Sequence, residues 1–199
     1  MDKLFIVSPS YAGDFCSQYV ESLAATVKDC MDNDVRTLYK TISGVHWIDI
    51  TRDIAAHIFL HTNCNYMLQI DTDLGWEADA PRKMMKHRGD VVGGVYPLKT
   101  NLIQKVVPVK NRVPGGFMMV SRDVIETMTE KRKDESYFCS SLQYGKLKVA
   151  PLFRRQFVGD GYVGEDYAFC DRAIADGFKV ETFKGLKFSH VGIKEWKGE

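Results

Sequence analysis

Apolar positions along the chain switch repeatedly between two spacings. Leu4 to Val7 is an unbroken apolar run of strand length that stops at Ser8-Pro9-Ser10. Tyr19, Val20, Leu23, Ala24, Val27, Cys30 and Met31 then recur three and four residues apart, the spacing of one helix face. Val35 to Ile42 predicts a second strand ended by Ser43-Gly44, and Thr51 predicts the cap of a helix whose apolar face is Ile54, Ala55, Ile58 and Phe59. Tyr66 to Ile70 predicts a third strand, Ala80-Pro81 a helix with proline in its first turn, and Asp90 to Tyr96 a further strand.

The second half is less regular. Gly115-Gly116 precedes the apolar Phe117 to Val120, a helix is expected from about Asp123 to Lys131, and Leu147 to Phe157 is expected to be extended with a break at Pro151. Gly164-Glu165-Asp166 opens a helix with Tyr167, Cys170 and Ile174 on one face and Gly177 as its stop. Phe178 to Phe183 and Leu186 to His190 read as closing strands. Alternation of this kind predicts an α/β/α sandwich with a central, mainly parallel sheet, in which ligands bind beyond the carboxyl ends of the strands. Ser8-Pro9-Ser10 and Asp71-Thr72-Asp73 both fall at such ends, and with no linker or repeat in view residues 1–199 are expected to form one domain.

Composition narrows this picture. With 45% hydrophobic and 27% charged residues the chain has the balance of a globule with a full core, not of a disordered segment. A formal charge of +1 supplies no general attraction to nucleic acid or lipid, and Lys131-Arg132-Lys133 and Arg154-Arg155 read as solvated clusters. No apolar run approaches the roughly 20 residues of a membrane span, and Met1-Asp2-Lys3 leads straight into the first strand without a signal-peptide core. The five cysteines are odd in number, widely spaced and never paired as C-x-x-C, which argues against a disulfide framework or a zinc cluster. A reduced, cytoplasmic setting is expected.

The chemistry concentrates at Asp71-Thr72-Asp73. Two carboxylates one residue apart raise each other's pKa unless a cation or hydrogen-bond donors neutralise them. Asp32-Asn33-Asp34 has the same spacing but lies in a polar turn, whereas Asp71 and Asp73 follow an apolar strand and precede Leu74-Gly75-Trp76. That context favours a bound divalent cation, with a strand-end Asx turn as the alternative. Two aspartates leave a coordination sphere unfilled, and His190, at the end of a strand, is the candidate third ligand, with a structural histidine the commoner role for a lone imidazole. His46, His57, His61 and His87 lie in a loop or on helices at no useful spacing from an acid. Oxygen-rich sites with one imidazole suit Mn²⁺ or Mg²⁺ better than zinc.

Asp71-Thr72-Asp73 after a strand, Gly164-Glu165-Asp166-Tyr167 opening a late helix, and a terminal His190-Val191-Gly192 together resemble the GT-A glycosyltransferases. The likeness includes the small virus- and phage-encoded members that decorate capsids or surface glycans, and it spans nearly the whole chain. Arg52-Asp53 at the head of the helix before the aspartate strand, Gly94-Val95-Tyr96-Pro97, and Gly116 to Arg122, similar to the family's strand near the acceptor pocket, agree with it. The resemblance implies a GT-A-like, Rossmann-like fold with a nucleotide-sugar half of about 1–100 and an acceptor half of about 101–199. It implies a nucleotide diphosphate sugar donor of UDP or GDP type, Mn²⁺ or Mg²⁺, and a glycan or glycoprotein acceptor. It further implies Asp71 near the ribose or metal, Asp73 on the metal, His190 as third ligand, Thr72 at the donor, and Ser8, Pro9 and Ser10 in the loop that contacts base and ribose. The tail from His190 to Trp196 is similar, at shorter spacing, to the string with which some retaining members hold the diphosphate, which would make Lys194 a phosphate contact.

Sugar transfer leaves negative charge on the departing phosphate, which a cation and basic side chains stabilise more strongly as the bond breaks. Arg52 and Lys194 are the basic candidates. Inversion at the anomeric centre needs a carboxylate to accept the attacking hydroxyl's proton, with Asp166 the first candidate and Glu165 the second. Helix capping is the structural alternative for both. Trp76, Tyr96 and Phe117 are candidates for the acceptor opening or, equally, for packing. Three other activities compete. Ile70 to Gly75 and Gly159-Asp160-Gly161 with Asp166 are similar to motifs of haloacid-dehalogenase-like phosphatases, whose aspartate pair normally ends the first strand. A nucleotidyltransferase wants a glycine-rich basic loop, but Ser8 to Gly13 has one glycine and no lysine or arginine. A sugar-nucleotide-binding module without catalysis is the third.

Overall fold

The structure is a computed structural model that describes residues 1–87, 89–99, 111–141 and 143–192, and the backbone of 195–197. β1 (Lys3–Pro9) and α1 (Ser17–Asp32) lead to β2 (Arg36–Ile42) and α2 (Ile48–Leu60). β3 (Tyr66–Ile70) and the short β4 (Leu74–Trp76) follow, then α3 (Ala80–Met85) and β5 (Val91–Gly94). Next come β6 (Phe117–Ser121), α4 (Arg122–Lys131), β7 (Tyr137–Ser141), β8 (Gly145–Val149), β9 (Gln156–Val158) and β10 (Gly161–Val163). The described chain closes with α5 (Glu165–Ala175), β11 (Val180–Phe183), β12 (Phe188–Val191) and β13 (Glu195–Lys197).

Six strands form the central sheet in the order β11-β5-β6-β3-β1-β2. β1 runs parallel to β2 and β3, β11 runs parallel to β5, and β6 is antiparallel to both of its neighbours. This is the mainly parallel α/β sheet that the alternation predicted. Leu4 to Val7 is apolar throughout because β1 is covered on both faces. Phe5 and Val7 share a core with Ile54 and Phe59 of α2, while Leu4 and Ile6 share another with Tyr19 and Cys30 of α1. Helices α4 and α5 complete the first layer through Val124, Ile125, Phe169 and Ala173, and α3 completes the second through Ala80 and Met84. α5 stops at Gly177, which takes a φ of +99° that other residues rarely adopt. Among the described residues no helix is long and apolar enough to cross a membrane.

One expectation fails. Thr51 does not cap α2, which starts at Ile48; the Thr51 hydroxyl instead donates to the Trp47 carbonyl at 2.9 Å. Arg52 and Asp53 are therefore inside the helix and buried, not at its head. Leu147 to Phe157 is extended on either side of the expected break at Pro151, and its two ends belong to separate antiparallel hairpins, β7 with β8 and β9 with β10.

Asp53 is the tie between these halves of the fold. It is 2% exposed, its Oδ1 accepts the Phe153 N–H at 2.8 Å and its Oδ2 accepts the Tyr137 hydroxyl at 2.8 Å. One carboxyl thus anchors β7 and the segment before β9 onto α2. Burial pushes its pKa up to about 7, against the opposing pull of those two hydrogen bonds. The folded chain then holds this proton more tightly than the unfolded chain, so the stability it contributes is full at low pH and declines as the pH rises through that range. Asp53→Asn is expected to flatten the fall in stability between pH 3.8 and about 7, read from urea unfolding at a series of pH values. A parent-to-variant difference that stays constant across the window would contradict this assignment.

Candidate active site

β3 ends at Ile70 and the chain turns through Asp71-Thr72-Asp73 into β4. β4 is three residues long, too short to hold itself, and its partner comes from the far end of the chain. β12 lies antiparallel to it, with Phe188 opposite Trp76, Ser189 opposite Gly75 and His190 opposite Leu74. The Val191 N–H extends this ladder onto the Asp73 carbonyl at 2.7 Å. Strand register therefore brings His190 beside Asp73.

His190 Nδ1 lies 2.8 Å from the Pro97 carbonyl oxygen. A carbonyl only accepts, so Nδ1 carries the proton, and in the neutral ring Nε2 presents a lone pair. Nε2 faces Asp73 Oδ1 at 3.5 Å, and that oxygen is buried without a hydrogen-bond partner. Two electron-pair donors facing each other require positive charge between them, either a proton on the ring or a cation. Tyr96 packs edge-on against the imidazole, with ring centroids 5.4 Å apart and planes at 84°, which fixes the ring's orientation. The other oxygen of Asp73, Oδ2, accepts from the Lys99 ammonium. Burial works to raise the Asp73 pKa, but His190 and Lys99 together outweigh it and hold the carboxyl below its ordinary value.

Arg52, 3% exposed, rises from α2 beneath the aspartate turn. Its Nη1 donates to Gln69 Oε1 and to the Gly115 carbonyl, both at 2.8 Å, and its Nη2 donates to Asp71 Oδ1 at 3.2 Å. Its Nε stands 3.6 Å from Glu165 Oε1, close enough for attraction between the charges. Gly115 and Gly116 leave the room this needs. A Cβ at 115 would lie 2.7 Å from the guanidinium carbon, and one at 116 would lie 2.4 Å from the Tyr96 hydroxyl and 2.9 Å from Asp71 Oδ2.

The surrounding carboxyls divide by their partners. Burial raises the Asp71 pKa, with Arg52 opposing and Asp73 adding to the rise. Glu165 is raised in the same way by burial, partly offset by Arg52 and reinforced by Asp166. Both oxygens of Asp166 are occupied by backbone donors: Oδ2 accepts the Gly115 N–H at 3.0 Å and Oδ1 accepts the Tyr167 N–H at 2.7 Å.

Asp71, Asp73, His190, Arg52, Glu165 and Asp166 thus converge from β3, β12, α2 and α5. Several predicted residues take places other than those expected. Arg52 lies beneath the carboxylates with its donors turned inward, not at the open face expected of a phosphate contact. Ser8 is fully buried and hydrogen-bonds the Tyr19 hydroxyl, and Ser10 donates to the carbonyl and carboxylate of Asp14 at 3.1 and 3.2 Å. Their hydroxyls therefore serve the protein, while Pro9 stays partly exposed at the end of β1. Thr72 accepts the Cys16 N–H on its carbonyl at 3.0 Å, joining the loop after β1 to the aspartate turn. Trp76 is 7% exposed, donates to Thr26 Oγ1 at 2.8 Å and packs edge-on against Tyr19; it, Tyr96 and Phe117 are packing residues and not an acceptor opening. Lys194 and residues 100–110 lie outside the described residues.

Lys99, Gln69 and the Pro97 carbonyl are contributors that sequence reasoning missed. The adjacent glycines before β6 are the one signal that something had to approach closely there. Among the described residues, no three His, Cys, Asp or Glu side chains already stand together as a complete metal cage.

The fold is similar to that of A197 from STIV, which is 19% identical, with 96% of this chain and 86% of that one covered at a TM-score of 0.60. A Drosophila beta-1,4-galactosyltransferase 7 mutant, in complex with manganese, UDP-Gal and xylobiose, is 16% identical, with 96% and 71% covered and a TM-score of 0.55. The inositol-1-phosphate CTP transferase of T. maritima is 10% identical, with 96% and 89% covered and a TM-score of 0.51. No protein family and no curated protein matches the sequence. At these identities the likeness is one of fold, and the fold is the GT-A type.

Gly116→Ala is expected to destabilise the protein by about 1–3 kcal/mol, because the added methyl meets Tyr96 and Asp71. Combining it with Tyr96→Phe, which removes the nearest atom, should recover part of that loss in denaturant unfolding. Full additivity of the two changes would show that the contact is not the cause.

Proposed function

We propose that the protein is a glycosyltransferase that moves a sugar from a nucleotide diphosphate sugar, held through a divalent cation, to a hydroxyl of a glycan or glycoprotein. The observation that carries this reading is the Asp73–His190 pair. An unpartnered, buried carboxylate oxygen faces the Nε2 of an imidazole whose Nδ1 proton is fixed on a carbonyl, at the carboxyl end of an inner strand. A His ligand oriented through its second nitrogen is the usual arrangement around a bound metal. Asp71, Asp73 and His190 would hold the ion, and two carboxylates with one imidazole suit Mn²⁺ or Mg²⁺. When bound, the cation supplies neutralising charge to the departing diphosphate. The galactosyltransferase of similar fold, in complex with manganese and UDP-Gal, supports a donor and metal of this kind.

The chain's own residues divide the remaining work. Arg52 acts from below, holding Asp71 and Glu165 at fixed positions so that the site needs little reorganisation on binding. Asp166 spends both oxygens on backbone N–H groups. Glu165, whose carboxylate burial makes more basic, is therefore the better candidate to take the acceptor hydroxyl's proton, reversing the order expected from sequence. The phosphatase reading loses support because the aspartate pair follows β3 and not β1. The fold shared with a CTP transferase leaves a nucleotidyltransferase as the nearest rival, but the loop after β1 has no lysine or arginine to hold a triphosphate.

In a thermal-shift panel of UDP, GDP, CDP and TDP sugars, a UDP or GDP sugar is expected to raise the melting midpoint with Mn²⁺ present and not without it. Asp73→Asn should abolish that rise while leaving the unliganded midpoint close to the parent's. A midpoint raised equally with and without the metal would remove the cation from the reading. Glu165→Gln is expected to slow sugar transfer about 10²–10⁴-fold with donor binding retained, measured by single-turnover kinetics. Loss of transfer in Asp166→Asn but not in Glu165→Gln would restore the original order.

A further inference from the structure

The segment Tyr96-Pro97-Leu98-Lys99 after β5 reaches the site twice. The Pro97 carbonyl fixes the His190 ring, and two residues later the Lys99 ammonium pairs with Asp73 Oδ2. Asp73 thus has a cationic side chain on one oxygen and an imidazole facing the other. Lys99 and Asp73 are 35% and 37% exposed, so water reaches the pair. An ion pair so placed is weak and exchanges partners readily. Arg52 cannot take that place, because it is buried and committed to Gln69, Gly115 and Asp71.

We infer that Lys99 is an exchangeable counter-cation: it neutralises Asp73 before the divalent ion arrives, then yields the carboxylate and turns to the diphosphate of the donor. The inference rests on the metal-dependent reading above. An ammonium and a dication repel when they share one carboxylate. A metal ion binding alone between Oδ1 and His190 Nε2 therefore loosens the hold of Lys99 on Oδ2 and leaves its charge short of a partner beside a second positive charge. A nucleoside diphosphate removes that penalty, because its oxygens give the released ammonium a new partner. Metal and diphosphate then bind with positive coupling, and by linkage each tightens the other. No covalent bond changes in this exchange; the ammonium, the carboxylate, the divalent cation and the diphosphate trade partners. The consequence is order, with the cation entering together with the nucleotide.

The test measures Mn²⁺ affinity by electron paramagnetic resonance of the free ion and by calorimetry, with and without UDP and, in parallel, GDP. Lys99→Met keeps the apolar stem and removes the charge; Lys99→Arg keeps the charge; Lys99→Gln provides a second neutral variant should the methionine fail to fold. The neutral variants are expected to bind Mn²⁺ alone about tenfold more tightly than the parent and to lose a similar factor from the metal–nucleotide coupling. The arginine variant should behave like the parent. Mn²⁺ affinity that is unchanged or weaker in the neutral variants overturns the inference while leaving the metal site standing. Absence of Mn²⁺ binding in the parent and in every variant, with either nucleotide, overturns the metal-dependent reading itself and this inference with it.

Discussion

A guanidinium almost wholly removed from water must find its counter-charges inside the protein, and Arg52 finds them in Asp71 and Glu165 while its remaining donors meet Gln69 and the Gly115 carbonyl. Desolvating such a cation is expensive, and truncating it would strand two carboxyls near each other without compensation. The requirement reaches several parts of the chain at once. Gln69 belongs to β3, Gly115 to the approach to β6, and Glu165 to the first turn of α5. The glycines at 115 and 116 follow from the same requirement, since a side chain at either would occupy the volume taken by the guanidinium, Tyr96 or Asp71.

Arg52 and Asp53 are neighbours on one helix and divide the fold between them. Arg52 faces the strand ends and organises the carboxylates, whereas Asp53 faces the second half and secures Tyr137 and Phe153. A buried cation beside a buried acid on consecutive helical positions point in different directions, because successive residues on a helix are about 100° apart. One helix therefore fixes both the chemistry and the packing of the irregular region that follows β6.

The parts of this arrangement that were legible in the sequence are those with a local cause. Leu4 to Val7 read as a strand because burial on both faces leaves no polar position, Tyr66 to Ile70 read as one although its single inner polar residue, Gln69, is buried against Arg52, and Gly177 read as a stop because only glycine takes that backbone turn easily. The aspartate pair was legible from its place after an apolar strand, whereas His190, which strand pairing from the far end of the chain brings beside Asp73, was joined to it only through the resemblance to the GT-A enzymes. Thr51 misled because a threonine before an apolar periodic run looks like a cap, while the helix had already begun one turn earlier at Ile48. The break at Pro151 was legible, but the two hairpins on either side of it were not, because strands this short carry no clear period. Lys99 and the inward turn of Arg52 were not legible, since both depend on where distant segments meet and not on their neighbours in sequence.

The pairing of β4 with β12 has a further implication. Each strand is only three or four residues long and together they close one of the longest loops in the chain, so the buried side chains Leu74, Trp76 and Phe188, more than the ladder itself, offset the chain freedom lost. Pairings between segments so far apart in sequence form slowly, because the loop must close before its contacts reward it. His190 reaches the aspartate turn only through that closure, so the packing of Phe188 between Tyr96 and Phe117 sets where the imidazole stands.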